Sequence, residues 1–488
     1  LISGAGISGI DAAWHLQQRC PDKSFALLES QDGFGGTWKT HKYPGIRSDS
    51  DLFTFGYKWK PWSGPPIAAG EEIMRYLDEV LDENQIREHI RYQHEVKKAT
   101  WSSEENQWTL EVQNKDSGAL QAYVCKFLWM CQGYYRHSEG YMPEFPGAED
   151  FDGTIVHPQT WPEDLDYRGK KVVVIGSGAT AATLIPAMAD DCDHITMLQR
   201  SPTYFHAPVN RHELSDMLME LDVPDEWRHE ICRRKFLHDQ QIIARRSFEE
   251  PEALKQDLIA GAKAYLGEDF DVATHFTPTY RPWRQRLAAV PDGDLFKGLR
   301  SGQASVVTDQ IESFTKGGIR LQSGDELEAD IIITATGFNM NVLGDIDFDI
   351  DGQALDFANR WAHRGIMFSG IPNMAWVFGY LRTSWTMRAD LFCDFVCRLL
   401  NHMDEKDVDV VTPQLRPEDE DMPRRPFVDP ENFNAGYLTR SLHMMPVQGD
   451  RAPWIFNQDY YTEKDELPAA SLEDGTLVYG RGHRGDEG

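Results

Sequence analysis

The stretch Gly4-Ala5-Gly6-Ile7-Ser8-Gly9 follows an apolar strand pattern at residues 1–3 and precedes a helical pattern that begins at Asp11. The next strand pattern, residues 25–28, ends at Glu29, twenty positions after Gly9. Glycines permit a tight turn and a close approach of the backbone to a pyrophosphate, and the acidic residue accepts hydrogen bonds from ribose hydroxyls. The stretch therefore predicts a Rossmann-like unit that looks like an FAD site. Its predicted contacts are Gly4, Gly6, Ser8, Gly9 and Glu29.

A second glycine turn, Gly176-Ser177-Gly178-Ala179-Thr180-Ala181, follows the continuous apolar run at residues 172–175. The next predicted strand, residues 194–198, is followed by Arg200 and Ser201 and by no carboxylate. A carboxylate would repel a 2′-phosphate, whereas a guanidinium binds it with charge-assisted hydrogen bonds. We therefore predict NADPH here, although an arginine at a strand end can also simply face solvent. The predicted contacts are Gly176, Ser177, Gly178, Thr180, Ala181, Arg200 and Ser201.

The order of these patterns predicts an α/β fold with two Rossmann-like dinucleotide-binding domains. We expect residues 1–140 and 338–488 to form a discontinuous FAD domain, with residues 141–165 as a linker. Residues 166–337 are predicted to form the NADPH domain, which carries a charged helical insertion at about 208–270.

Composition excludes several classes of function. The formal net charge of −29 argues against nucleic acid or an anionic membrane as a partner. The sequence holds no apolar run of transmembrane length. Its seven cysteines form no Cys-x-x-Cys pair, so neither a metal site nor a dithiol reductase is predicted, and a reducing cytoplasm fits. Because Leu1 already lies in a predicted strand, we expect residues to precede it. Whether these include a cleaved targeting peptide is left open.

Two further motifs narrow the class of protein. One runs from Phe151 to Pro162 and reads Phe-x-Gly-x-x-x-His-x-x-x-Trp-Pro; the other runs from Gly35 to Asp49 and reads Gly-Gly-x-Trp, then Tyr-Pro-Gly, then Asp. Together with the two glycine turns, they resemble the signatures of Baeyer–Villiger monooxygenases, a branch of the flavin-dependent monooxygenases. The runs 47–51, 56–62 and 424–433 are similar to the subgroup that contains the ethionamide-activating enzyme.

The resemblance implies an FAD-containing, NADPH- and O2-dependent enzyme that converts ketones to esters or lactones through an anionic C4a-peroxyflavin. It implies that Arg286 holds the negative charge of that species and that Asp49, near the flavin, positions Arg286. Residues of the 151–162 motif would organise domain closure, although a structural role is the commoner fate of a histidine. The motif residues concerned are Phe151, Gly153, His157 and Trp161. The resemblance also implies further FAD contacts, which are Gly36, Thr37, Trp38, Asp49 and the backbone of Val96.

Alternatives remain open at this point. The nearer one is a flavin-containing monooxygenase that oxidises sulfides or amines, and sulfur oxidation is also conceivable as a side reaction. The more remote one is a non-catalytic nucleotide-binding sensor. Arg382 stands where many relatives of this kind carry asparagine, so the chemistry of the substrate pocket is expected to differ. The expected partners are a small ketone and O2, a monomer is expected, and the identity of the ketone is not predicted.

Overall fold

The first sheet is built from both ends of the chain. The structure, a computed structural model, describes residues 1–481, so residues 482–488 of the predicted FAD segment lie outside the described residues. The five strands of this sheet are parallel, and their spatial order is Met374–Trp376, Leu128–Met130, Ile2–Ser3, Leu27–Leu28 and Ile90–Arg91. The C-terminal part of the chain therefore completes the sheet that the first glycine turn begins.

Two helices that are far apart in sequence pack together on this sheet. Ile7–Arg19 leaves the glycine turn, and Trp385–Glu405 returns against it from the C-terminal part. Their facing side chains, among them Ile10, Leu16 and Phe392, are buried in one core. A third helix, Gly70–Glu83, adds Ile73, Leu77 and Val80 to the same core, as its apolar spacing dictates.

The second sheet is also parallel and has five strands. Their spatial order is Ala304–Thr308, His194–Gln199, Lys171–Ile175, Ile331–Thr334 and Thr154–Val156. Helices Ala179–Met188 and Asp294–Ser301 pack together beside it. Thr154–Val156 is its edge strand, so that part of the predicted linker belongs to the second sheet.

Each unit also contains antiparallel strands, as the alternation of apolar residues predicts. One set pairs His94–Ser102 with Gln107–Asn114, which pairs with Leu120–Cys125, and buries Trp101 and Trp108. Its other edge carries Asp347–Ile350 and Gln353–Ala354. A smaller set on the second unit comprises Ile311–Thr315, Gly318–Leu321 and Glu326–Glu328.

The insertion predicted at about 208–270 is helical. It comprises Glu213–Glu220, Asp225–Glu249 and Pro251–Leu266, the last of which begins with proline at its first turn. The long helix Asp225–Glu249 packs on the short helix Leu52–Phe55 of the first unit. The remaining helices include Thr37–Thr40, Val272–His275, Gly436–Ser441 and Tyr460–Ala469. Within the described part of the chain, every helix is too short or too polar to cross a bilayer.

Candidate active site between the two nucleotide units

The first glycine turn is packed so closely that Gly4 and Gly9 cannot carry a side chain. Gly4 has a φ of +102°, and a Cβ on Gly9 would lie 2.0 Å from the carbonyl oxygen of Gly4. Gly36, with a φ of +54°, faces Gly6 so closely that its Cβ would lie 3.2 Å from the Gly6 Cα. The helix begins immediately afterwards, at Ile7, with its free N–H groups at this turn. This cradle fits the pyrophosphate of FAD.

Glu29 is placed to hold a ribose. Its carboxylate is buried and accepts hydrogen bonds from the backbone N–H groups of Ala5 and Gln31, each at 2.8 Å. The two bonds use different oxygens. Oε1 also accepts from the Ser30 hydroxyl at 3.5 Å, whereas Oε2 keeps a lone pair for a ribose hydroxyl. Burial raises the pKa of Glu29. The backbone N–H of His94 donates to the Glu29 carbonyl at 2.8 Å, which brings the strand that carries Val96 beside this end of the sheet.

Ser8 and Trp38 belong to the surroundings of the same turn. The Ser8 hydroxyl accepts a hydrogen bond from the indole Nε1 of Trp385 at 2.9 Å. Trp385 also stacks on Tyr134 with ring centroids 4.8 Å apart. Thr37 and Trp38 open the short helix that follows Gly36, and Trp38 meets Phe55 edge to face. Ser8 is therefore engaged by a tryptophan that the sequence did not connect with it.

The second glycine turn repeats the geometry of the first. Gly176 has a φ of +128°, and a Cβ there would lie 2.3 Å from the carbonyl oxygen of Ala335. Gly178 precedes the helix Ala179–Met188, in which Thr180 is half-buried and Ala181 is fully buried. The hydroxyl groups of Ser177 and Thr203 share a hydrogen bond of 2.8 Å.

Arg200 and Ser201 are exposed at the end of the strand His194–Gln199. Among residues 1–481, no hydrogen bond or ion pair holds the Arg200 guanidinium. An exposed guanidinium at the end of this strand has N–H groups available for an anion such as a 2′-phosphate, which is the distinguishing group of NADPH.

Arg286 and Asp49 form a two-point ion pair across the two units. The Arg286 Nε donates to Asp49 Oδ2 at 2.5 Å, and its Nη2 donates to Oδ1 at 2.7 Å. Its Nη1 donates to the carbonyl oxygen of Leu381 at 3.2 Å. Asp49 comes from the first unit, whereas Arg286 precedes the strand Ala288–Ala289, which pairs with Phe205–His206 in the second.

The electrostatics of this pair keep both partners charged. Burial by itself raises the pKa of Asp49, but the charge and hydrogen bonds of Arg286 outweigh it and hold that pKa below its ordinary value. Burial likewise works against the charged form of Arg286, but Asp49 raises the pKa of Arg286 further than burial lowers it. The side chains remain partly open, with 34 % of Arg286 and 27 % of Asp49 exposed. A reacting group can therefore reach a permanently charged guanidinium.

A second ion pair joins the same two units nearby. Arg47 Nη1 donates to Asp294 Oδ2 at 2.5 Å, and Asp294 begins a helix of the second unit. Gly45 precedes Arg47 and Asp49 in the chain. It has a φ of +74°, and a Cβ there would lie 2.6 Å from the Cβ of Ala187. The segment that carries Asp49 is therefore fitted closely onto the helix Ala179–Met188.

The 151–162 motif lies at the junction between the units. His157 Nε2 contacts the carbonyl oxygen of Gly337 at 3.1 Å, and its Nδ1 accepts from the backbone N–H of Gln159 at 3.2 Å. Because Nδ1 accepts, Nε2 carries the proton and donates. Burial lowers the pKa of His157. Both ring nitrogens are thus engaged with the main chain, which supports a structural role for His157.

The other three residues of that motif are also packed. A Cβ on Gly153 would lie 2.3 Å from the Asp330 carbonyl oxygen and 2.5 Å from the ring of Phe151. Phe151 is buried and meets Phe314 edge to face. Trp161 is half-buried and faces the ring of Tyr167. These contacts fix the entry of the chain into the second sheet.

The helical insertion supplies a residue that sequence reasoning missed. Gln240 donates through Nε2 to Asp51 Oδ2 at 2.8 Å and accepts from the Thr383 hydroxyl at 2.6 Å. It therefore links the segment that carries Asp49 to the loop whose Leu381 carbonyl binds Arg286. Gln240 stands in a charged helical stretch with no local signal, and only the packing of the helix Asp225–Glu249 reveals it.

A cluster of Asp11, His15 and Asp390 lies where the helices Ile7–Arg19 and Trp385–Glu405 pack together, with Asp390 half-buried and the other two buried. His15 Nε2 is 3.1 Å from Asp390 Oδ1 and 3.7 Å from Asp11 Oδ1, and Trp59 Nε1 donates to Asp11 at 3.0 Å. Groups of this kind can hold a metal ion. Burial raises the pKa of Asp11 to about 7, and the carboxylates, chiefly Asp390, raise that of His15 although burial lowers it. The contacts are explained by an internal ion pair.

Comparison with known proteins agrees with this geometry. A profile described as flavin-binding monooxygenase-like matches residues 63–224, and one for an NAD(P)-binding Rossmann-like domain matches residues 2–79. The FAD-containing monooxygenase EthA of Mycobacterium tuberculosis is 47 % identical over 483 residues, which are 99 % of this chain and 97 % of that protein. The chain belongs to the flavin-binding monooxygenase family. This monooxygenase carries both glycine turns on the two sheets described above.

Solved structures confirm the fold of the monooxygenase. A steroid monooxygenase bound to NADP superimposes with a TM-score of 0.75 at 21 % identity, covering 99 % of each chain. OTEMO in complex with FAD and NADP gives a TM-score of 0.68 at 20 % identity, covering 85 % of this chain and 87 % of that one. The 47 % identity to EthA confirms the family predicted from the motifs, and the superpositions confirm the predicted α/β fold class. The alternative of a non-catalytic nucleotide-binding sensor is wrong, because the relatives of this chain are monooxygenases.

Proposed function

We propose that this monooxygenase catalyses Baeyer–Villiger oxidation, in which a ketone, O2, NADPH and H⁺ give an ester or lactone, NADP⁺ and H2O. FAD and NADPH are its cofactors, and they supply the electrons and the activation of oxygen. The observation that carries the proposal is the Arg286–Asp49 pair, which joins the two nucleotide-binding units and is partly open.

Arg286 would stabilise negative charge on the oxygen that attacks the ketone carbon. Of its five N–H groups, two bind Asp49 and one binds the Leu381 carbonyl. One N–H on each terminal nitrogen is left for the reacting oxygen. Donors that are fixed before the reaction are worth on the order of 3 kcal/mol of barrier each. Asp49 positions the guanidinium, and the carbonyl of Leu381 fixes its remaining side.

The first and second units would bring the two cofactors to this guanidinium. Glu29 and the turn at Gly4 to Gly9 fit the adenosine and pyrophosphate of FAD, and Gly36 closes the same cradle. Arg200 would select NADPH at the second turn. Because Asp49 and Arg286 come from different units, the charge would be in place only while the units remain docked.

The test is Arg286→Ala, with Arg284→Ala as the matched control, because Arg284 lies two residues away and pairs with the exposed Glu431. We expect NADPH to reduce the bound flavin of Arg286→Ala within about threefold of the wild-type rate, while ester formation falls by about 100-fold or more. Stopped-flow absorbance and mass analysis of products measure the two steps separately. Ester formation at the wild-type rate would show that the arginine is misassigned.

A second experiment tests the sulfide- or amine-oxidising alternative. A matched ketone and thioether are offered to the wild-type enzyme. Preferential formation of the sulfoxide, with no ester, would favour that alternative.

A further inference from the structure

We propose that the ketone substrate of this enzyme carries a carboxylate, which binds to the guanidinium groups of Arg382 and Arg281. The proposal rests on the proposed function, because it concerns the substrate of the same site. It names a recognition element beyond the reacting centre.

Arg382 stands on the loop that holds the proposed catalytic arginine. The preceding residue, Leu381, accepts a hydrogen bond from Arg286 through its carbonyl, and its own N–H donates to Gln458 Oε1 at 2.7 Å. The following residue, Thr383, donates to Gln240 at 2.6 Å. Both neighbours of Arg382 are thus held by hydrogen bonds, and Arg382 is one residue away from a contact of Arg286.

The two guanidinium groups meet at one aromatic ring. Arg281 lies 4.1 Å and Arg382 lies 5.1 Å from the centroid of Phe248, which is half exposed. Phe248 comes from the long helix Asp225–Glu249 of the insertion. The cluster therefore joins three separate segments of the chain beside the proposed active site.

Neither arginine has a carboxylate partner. Across residues 1–481, the Arg382 guanidinium makes no hydrogen bond and no ion pair. Arg281 donates to uncharged oxygens, through Nη1 to the Ser247 carbonyl at 3.1 Å and to the Ser247 hydroxyl and the Pro282 carbonyl at 3.4 Å, and through Nη2 to the Asn432 carbonyl at 3.4 Å. The carboxylate whose charge reaches Arg382 is that of Asp459, but its oxygens accept from the Tyr461 N–H at 3.1 Å and the Thr462 hydroxyl at 2.5 Å. It caps the next helix, and among the described residues it makes no ion pair with either guanidinium.

The surroundings make this pair of charges unfavourable without an anion. Burial, and after it the charge of Arg281, lowers the pKa of Arg382. Burial, and after it the charge of Arg284, lowers the pKa of Arg281. Two half-buried cations on one ring are stabilised by an anion that each can bind through paired N–H groups. A carboxylate matches this planar geometry.

The net charge of the whole chain makes a local cationic site necessary for an anionic substrate. The net charge of −29 repels anions in general, so an anionic substrate needs a local cationic site. Arg382 and Arg281 form such a site, while Phe248 offers an apolar face to the carbon chain between carboxylate and ketone. The chemical class that fits is a keto acid whose carbonyl lies at a distance from its carboxylate.

The test compares linear methyl ketones with keto acids of the same chain length, in which a carboxylate replaces the far methyl group. The holoenzyme is assayed for kcat and KM by ester formation over a series of lengths. We expect the wild type to favour a keto acid by about tenfold or more in kcat/KM over its neutral counterpart. Arg382→Gln should lower that ratio by about tenfold or more, mainly through KM, because the charge-assisted bonds are lost.

Arg284→Gln is the matched control, because Arg284 lies in the same segment as Arg281 but has Glu431 as its partner. It should leave the ratio unchanged. Arg382→Lys, which keeps the charge without the planar fork, should restore part of the preference. A keto acid that is no better than the neutral ketone at every length, or a ratio that Arg382→Gln does not change, would overturn the proposal.

Failure of the proposed function would look different. In that case no ketone, neutral or acidic, would yield ester while NADPH still reduced the flavin. Titration of the oxidised holoenzyme with the keto acid, followed by the flavin absorbance spectrum, would then test the carboxylate site by itself. Equal binding to the wild type and to Arg382→Gln would contradict it, and weaker binding to the variant would support it.

Discussion

At the scale of single residues, the same side-chain type has different roles according to its partners. Arg284 is neutralised by Glu431, Arg286 is held by Asp49, and Arg382 has no carboxylate partner among residues 1–481. The sequence shows these arginines as similar polar residues. Their partners come from distant segments, so the assignment of Arg286 rested on the family resemblance.

Arg200 gives a prediction at this scale. Arg200→Ala should raise KM for NADPH by about tenfold or more and leave KM for NADH nearly unchanged, because a charge-assisted bond to the 2′-phosphate contributes about 1.5–3 kcal/mol. Steady-state kinetics with both coenzymes provides the measurement. The control is Arg234→Ala, whose exposed side chain pairs with Glu230 on the insertion. An equal loss with NADH would mean that Arg200 has a general structural effect.

At the scale of elements, residues 151–156 of the motif pack against the second sheet and form its edge strand. The sequence placed them in a linker, yet Thr154–Val156 pairs with Ile331–Thr334 as the edge strand of the second sheet. Gly153 stands directly before this strand and touches both the Asp330 carbonyl and Phe151. The glycine of the motif is thus explained by close contact.

Gly153→Ala is predicted to destabilise the protein by about 1–3 kcal/mol, because the added methyl group would have to displace backbone and ring atoms. The unfolding free energy from denaturant titration measures this. Gly261→Ala is the matched control: Gly261 lies inside the helix Pro251–Leu266 with nothing within 4 Å of an added Cβ. That change should stabilise by about 0.5–1 kcal/mol. A neutral Gly153→Ala would contradict the packing argument.

At the scale of the whole molecule, the two units meet through charged and fitted contacts. Arg286–Asp49 and Arg47–Asp294 both cross the junction. Gln240 adds a bridge from the insertion to the first unit. Docking of the units and assembly of the proposed site are therefore the same event.

Buried histidines make stability dependent on pH. Burial lowers the pKa of His363 to about 3, that of His229 to about 4 and that of His41 to about 4, from an ordinary 6.5. Below pH 6.5 the unfolded chain binds protons at these sites and the folded protein does not, so their contribution to stability falls as the pH drops toward 4. Asp11 and Asp51, with pKa values of about 7 and about 6 through burial, act in the opposite direction.

His363→Asn isolates one of these contributions. Its unfolding free energy should fall less than that of the wild type between pH 6.5 and pH 4, because the group that resists protonation is gone. Denaturant titrations at several pH values measure the difference. Parallel curves for His363→Asn and the wild type would contradict the assignment.

The amino-acid sequence by itself determined the two nucleotide units, because glycines at fixed spacing, apolar strand runs and the residue after the second strand act locally. It also determined the helical insertion, through residue composition. Only the tertiary structure decided that Asp49 binds Arg286 at two points, that Gln240 joins the insertion to the site, and that Arg382 meets Arg281 at Phe248. Those contacts join residues more than a hundred positions apart or on separate loops, and no local pattern records them, because only packing of the folded chain brings such segments together.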